Sequence, residues 1–370
     1  MKKFIFIIAV LLLTVSSGVN AADLIGGEFK LENTYYESMK EKHPELMSVF
    51  NLELDQQTWN GGFHIDLKFS DDLNKNQLEI ALNEAYINYY GDDYDLHFGK
   101  QLISWGTAAE FNPTDNINPM NPEDIFGDKQ VLTMLKGNYY LNNNYELSGV
   151  IIPFHRPVKD SFNFMGNEFK VEAVEDDLAN TEYAIKLSGK GIEGFDYSLS
   201  YYHGFEDIPT AVIKMTPGGP VPDKIYFREY SIYGVDFATS HKGVGYWLEA
   251  AYTVPEQGDE YYSSVIGADY KFENGFYLEG QLIYQKDKFL NENVIIQQGL
   301  EKEFARIHNF KLGSLYNLDT EGYMIKPQFE FSLDDNLILN LSYTESEGDL
   351  MGNEIFNLES GLNMDLTYSF

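Results

Sequence analysis

Leu362-Asn363-Met364-Asp365-Leu366-Thr367-Tyr368-Ser369-Phe370 is the last stretch of the sequence, and it alternates without a break. Leu362, Met364, Leu366, Tyr368 and Phe370 fall on one face, and Asn363, Asp365, Thr367 and Ser369 on the other. Side chains that repeat every two residues describe a β-strand with one apolar and one polar face. The same reading holds upstream. Phe63, Ile65, Leu67 and Phe69 alternate with His64, Asp66, Lys68 and Ser70. Val244, Tyr246, Leu248, Ala250 and Tyr252 enclose Gly245, Trp247, Glu249 and Ala251, and Phe276, Leu278, Leu282 and Tyr284 continue around Glu279, Gln281 and Ile283. Aromatic residues make up 15% of the chain, so the fold must place many apolar side chains one at a time.

The connections between these strands take turns in length. Short links such as Trp59-Asn60-Gly61-Gly62, Gly91-Asp92-Asp93 and Glu273-Asn274-Gly275 carry the Asn, Asp and Gly that tight hairpins use. Long links such as 155–180, 206–224, 285–293 and 345–355 fall between them. An up-and-down meander with one short-turn end and one long-loop end fits an antiparallel transmembrane β-barrel, short turns in the periplasm and long loops outside. Eighteen strands are expected, starting near 24, 46, 60, 78, 94, 130, 145, 181, 195, 227, 244, 261, 276, 294, 309, 322, 336 and 357. Without the hairpin at 294 and 309 the count falls to sixteen. Pro327 lies inside one strand, where a closed barrel has no free edge, and a bulge is the expected accommodation. Residues 39–47 form an irregular first loop.

At the other end, Lys2 and Lys3, the apolar run Phe4 to Val15 and the small-residue site Val19-Asn20-Ala21 describe a signal peptide over 1–21. Residues 22–370 then form a single barrel domain. No second apolar run approaches the roughly 20 residues a spanning helix needs. With Lys2 and Lys3 gone, 24 basic residues face 58 acidic ones, a net charge of −34. That balance argues against nucleic acid, which demands a basic footprint. The absence of cysteine excludes disulfides, thiolate metal sites and cysteine nucleophiles. The terminal strand with its closing aromatics Tyr368 and Phe370 resembles the C-terminal signal of outer-membrane barrels, which implies the barrel-assembly machinery as a partner.

One segment is not repetitive. FGKQLISWGTAAEFNPTDNINPMNPED, residues 98–124, breaks at Trp105-Gly106 and passes through Asn112-Pro113, Asn118-Pro119 and Asn121-Pro122. Proline fixes its own φ and restrains its predecessor, so the segment reads as a rigid, irregular loop over 104–129. Gly99, Gln101, Trp105, Gly106, Pro113, Asp115, Asn118 and Pro119, with Ile151-Ile152-Pro153-Phe154 further on, resemble an uncharacterised porin-like family of Gram-negative outer-membrane β-barrels. That family carries Gly-Arg-Gln, then Trp-Gly, then Asn-Pro-x-Asp. Lys100 stands here in place of the arginine. The resemblance implies outer-membrane location and no particular solute.

A barrel this wide leaves an aqueous channel unless something fills it. The loop is long enough to fold inward, and Glu110, Asp115, Asn118, Glu123 and Asp124, with Lys100 and Gln101 at its root, are the candidates for a constriction that favours cations. The other reading stacks the loop on the rim, with Trp105 an interfacial aromatic. Lumen-facing Glu28, Lys30, Glu32, Asp66, Lys68, Lys186, Glu249, Asp269, Lys271, Glu279, Lys326 and Glu330 are expected to pair along the wall. The expected function is passive diffusion of small hydrophilic solutes, with outer-membrane lipid and lipopolysaccharide as surroundings and no metal or cofactor. An export, structural or ligand-binding barrel is the alternative. A hydrolase is the remaining class. His155 and His203 near loop carboxylates such as Asp160 or Asp207 are its candidate pair, and no serine stands in a Gly-x-Ser-x-Gly context. No flat apolar patch marks an oligomer interface.

Overall fold

The computed structural model describes residues 25–36, 44–109, 111–119, 129–157, 161–164, 167–286, 291–350 and 360–370. The signal segment, residues 39–43 of the first loop, Glu110, Glu123 and Asp124 lie outside them. Seven strands open the chain: β1 (Ile25–Tyr36), β2 (Glu45–Thr58), β3 (Gly61–Asp72), β4 (Gln77–Tyr90), β5 (Tyr94–Gln101), β6 (Leu132–Tyr140) and β7 (Tyr145–Ile152). A small hairpin, β8 (Ser161–Phe164) and β9 (Asn167–Lys170), precedes β10 (Glu182–Ile192) and β11 (Phe195–Phe205). A second, β12 (Thr210–Thr216) and β13 (Gly219–Tyr226), precedes β14 (Glu229–His241), β15 (Val244–Pro255), β16 (Tyr261–Lys271) and β17 (Phe276–Lys286). The last five are β18 (Glu292–Phe304), β19 (His308–Asn317), β20 (Tyr323–Asp334), β21 (Leu337–Glu347) and β22 (Gly361–Ser369).

Apart from the two hairpins, the described strands form one eighteen-stranded antiparallel sheet in which each pairs with its neighbours in sequence and β22 returns to β1. The barrel is closed. Its seam runs from Glu28 opposite Ser369 to Tyr36 opposite Gly361, and Phe370 N donates to Gly27 O at 3.0 Å. The terminal ring also stacks on Phe50, centroids 5.9 Å apart and planes 13° from parallel. Both hairpins sit in the long loops, where sequence alone suggested none.

Alternation assigns the two faces. Leu199 is 60% exposed and Ile266 57%, and both point outward among Leu, Ile and Phe. Tyrosine pairs such as Tyr183–Tyr201 and Tyr262–Tyr284 ring the long-loop end, and Tyr89–Tyr94 and Phe195–Phe237 the short-turn end. An apolar band between two aromatic girdles suits a bilayer's hydrocarbon. The expected bulge at Pro327 is absent. Ile325 opposite Glu345 and Gln328 opposite Ser342 keep one register across it, and the irregularity in this pair comes later, between Ser332 and Asp334. The proline is accommodated by skipping Lys326 and Pro327 in the ladder to β21, without inserting a residue.

Candidate functional site

The segment between β5 and β6 does not stay at the rim. It leaves β5 at Gln101, whose amide donates to Met134 O at 3.2 Å on β6. Just before it, Gly99 has φ +139°, and a Cβ there would lie 2.2 Å from Ala85 O, so only glycine lets β5 pass so close to β4. Asn118 then ties the two loop roots together. Its Oδ1 accepts from Ile103 N at 2.8 Å, and its Nδ2 donates to Gln130 O at 2.8 Å and Gln101 O at 3.3 Å. Asp115 accepts from Trp105 N at 3.1 Å and Ser104 Oγ at 2.9 Å, and pairs with Lys129 Nζ at 2.8 Å. Pro113 and Pro119 are buried beside them.

The loop's apolar side chains face the wall. Ile103, Trp105 and Ile117 share one cluster with Met134, Val150, Ile152, Ala184, Ile232 and Ala251, which line β6 to β15. Ala108, Ala109 and Phe111 pack on a second cluster of Trp247, Val265, Ile283, Ile295, Leu315 and Met324, on β15 to β20. Trp105 is 7% exposed, with the Lys186 ammonium 5.7 Å from its ring, which is a lumen position and not an interfacial one.

Two wall residues hold the far end. Glu249 on β15, fully buried, accepts from Thr114 Oγ1 at 2.5 Å and Ala108 N at 3.3 Å. Gln281 on β17 donates to Ala109 O at 3.1 Å and accepts from Trp247 Nε1 at 3.0 Å. Gly106 is wedged between: its φ is +102°, and a Cβ would stand about 2 Å from both Glu249 Oε1 and Asn112 Oδ1. In the closed ring β15 and β17 lie six and eight strands from β5, so the loop crosses most of the lumen.

This geometry sorts the sequence candidates. Asp115, Asn118 and Gln101 are brought together, but as the framework of the crossing, with their polar atoms spent on the loop and on the strands at its root. Lys100 stands opposite Ala85 and Thr133, on the outward face with Phe98, and its ammonium meets Leu82 O. It is therefore not a lumen residue. Glu249 figured in the sequence reading only as one wall charge among many. The signal that singles it out is a lone carboxylate flanked on its face by Trp247 and Ala251.

What the loop leaves open is the wall of β20, β21, β22 and β1. A recess of about 480 Å³ lies there, lined by Glu28, Lys30, Lys326, Asp365, hydroxyls of Thr34, Ser342, Thr344 and Thr367, and amides of Gln328, Asn340 and Asn363. Much of this lining is already paired: Lys30 with Glu32 at 2.5 Å, Asn340 with Asp365 at 3.1 Å, and Asn363 with Thr34 at 3.0 Å. Across the lumen Lys186 meets Asp236 at 3.3 Å, and Lys190 meets Glu146 at 2.8 Å.

The histidines weighed for hydrolysis have other partners. His155 Nδ1 lies 2.9 Å from Glu182 Oε1, buried between the rings of Phe205 and Phe227. His203 sits on the outward face, 2.9 Å from Glu229 and 3.2 Å from Ser231 Oγ. Asp160, one of the two carboxylates weighed with them, lies outside the described residues.

No protein-family model matches this sequence, and no curated protein is significantly similar to it. Solved structures do share its fold. OccK5 (OpdH) of Pseudomonas aeruginosa superposes with a TM-score of 0.60 at 11% identity, over 94% of this chain and 96% of that one. OccK2 (OpdF) of the same organism, in complex with glucuronate, gives 0.60 at 10%, over 94% and 97%. OccAB1 of Acinetobacter baumannii gives 0.60 at 8%, over 94% and 95%. With identities this low the likeness is one of architecture: the closed barrel of this chain shares its fold with these Occ proteins.

Proposed function

We infer that this protein is an outer-membrane, porin-like channel through which small hydrophilic solutes diffuse passively, with a weak preference for cations. The observation that carries the reading is the crossing loop. It narrows the lumen and, packed against β6 to β20, leaves a polar lane beside β20, β21, β22 and β1. A lane lined by hydroxyls, amides and both signs of charge replaces water's hydrogen bonds without demanding one partner. The overall acidic excess tips such a lane toward cations. The likeness to Occ channels agrees with this in fold. Membership of the porin-like family with the Trp-Gly and Asn-Pro signature, cleavage after Ala21, assembly through Tyr368 and Phe370, and contact with lipopolysaccharide belong to the same reading.

The barrel is read as non-catalytic. Ser231 does stand beside His203, but its hydroxyl is shared with Tyr201 at 3.1 Å. His203 and Ser231 both lie on strands paired on each side, β11 with β10 and β14, and β14 with β11 and β15, which commits the backbone N–H groups there to the ladders and supports that reading. Deleting residues 111–123 and recording single channels in planar bilayers tests the proposal. A larger conductance is expected. Unchanged conductance removes the constriction, and no conductance from either protein removes the channel.

A further inference from the structure

Gln298 is in the wrong place for a lipid-facing residue. On β18 it points outward between Ile296 and Leu300 and is exposed. Its ladder partners are Gly280 on β17 and Ser314 on β19. Gly280 lies midway between Tyr284 of one aromatic girdle and Phe276 at the other end of the strand. At about 3.4 Å per residue, roughly 13 Å of strand separates this level from either rim. A glutamine is too short to reach the headgroups over that distance. Outward-facing charged residues such as Lys100, Glu229 and Glu345 stand near strand ends, where headgroups and water are within reach.

An amide has two donors and an acceptor, and hydrocarbon offers nothing to either. No hydrogen bond to the Gln298 side chain is formed within the chain's described residues, and the surface around it does not hide it. Gly280 has only Gln297 O within 4 Å of where a Cβ would be, and Ala268 continues the small-residue floor on β16. A neighbour could thus approach the backbone closely at the point where this polar group waits for it.

We propose that this outward face, centred on Gln298, is where a second copy of the chain docks in the membrane. The occupant must itself span the hydrocarbon at the same depth and must carry a group that both donates and accepts. A copy related by a two-fold axis along the membrane normal meets both conditions, because it brings Gln298 to Gln298, and the amides pair reciprocally. Ser314 and its copy flank the pair. A face four strands wide, at about 4.8 Å per strand and about 25 Å tall, covers on the order of 500 Å² per copy. That is a modest contact beside the ~800 Å² per partner of a standard interface, so the dimer is reversible and belongs to the bilayer.

The chain has no cysteine, which makes the test clean. Ile296→Cys places one thiol beside Gln298 and keeps the amide; Leu187→Cys, outward on β10, is the control. Each full-length protein, reconstituted in phospholipid bilayers and in native outer membranes, is treated with a short bis-thiol crosslinker. Ile296→Cys is expected to give a covalent homodimer and Leu187→Cys none. Adding Gln298→Leu to Ile296→Cys should lower the dimer yield by about fivefold or more, while the barrel stays folded by heat-modifiable migration. Equal yields with and without Gln298→Leu, a dimer from Leu187→Cys as abundant as from Ile296→Cys, crosslinking only to a different protein, or no dimer at all would each overturn the proposal. Conductance is read separately, so a failed dimer leaves the channel reading standing.

Discussion

At the scale of single residues, carboxylates do two different jobs, and sequence does not distinguish them. Asp115 looked like a pore charge because it sits in a turn-rich loop with acidic neighbours. Its oxygens are instead used on Trp105 N, Ser104 and Lys129, and its side chain is 6% exposed. Removing one partner of a buried ion pair costs about 3 kcal/mol, roughly a hundredfold in an equilibrium. Asp115→Ala is therefore expected to shift the loop from docked toward released by that order, seen as a higher mean conductance and as new protease cleavage within 104–129. Gly106→Ala should act in the same direction, since an L side chain at φ +102° is strained and would strike Glu249. The candidates' local chemistry was legible: Asn and Asp before and between prolines do fix turns here. Glu249 was not, because its partner Thr114 is 135 residues away, and only closure of the ring brings them together.

Among elements, the strands were the legible part. Each barrel strand begins within four residues of its expected start, and the hairpin at 294 and 309 is present as β18 and β19. Period-two patterning survives because every strand has one face in lipid and one in water, so an error of one residue would invert both. The two loop hairpins were illegible for the same reason. They lie outside the bilayer, so no alternation is imposed on Val212, Ile213 and Met215, which are all exposed. What fixes the loops is polar. Arg156 donates to Asp176 at 2.7 and 3.0 Å in the segment between β7 and β10, and that bonding holds the Asp176 carboxyl below its usual range. A depressed carboxylate stabilises the fold above the unfolded pKa of about 3.9, and the benefit is lost as pH falls through the lower folded value. Pepsin should accordingly cleave this segment faster in Asp176→Asn than in the parent at pH 4, with the difference vanishing on further acidification. A constant ratio between the two would contradict it.

For the whole molecule, the excess of acidic residues, 58 against 26 basic ones in the full sequence, is expected to act through the lumen rather than through any single site. Most wall charges are paired, and exposed pairs are worth only about 0–1 kcal/mol, so selectivity should be weak and readily screened. In a salt gradient the reversal potential is expected to take the sign of cation preference and to shrink as ionic strength rises; an anion-preferring potential would reject the assignment. The crossing loop has a mechanical side as well. A closed sheet resists stretching along its hydrogen-bonded hoop but flexes easily from round to oval, because that needs no bond to break. A chord fastened at β5 and β6 on one side and at Glu249 and Gln281 on the other works as a tie rod, fixing one diameter of the cross-section. Any flexing of the cross-section is therefore expected along the other diameter, beside the free lane.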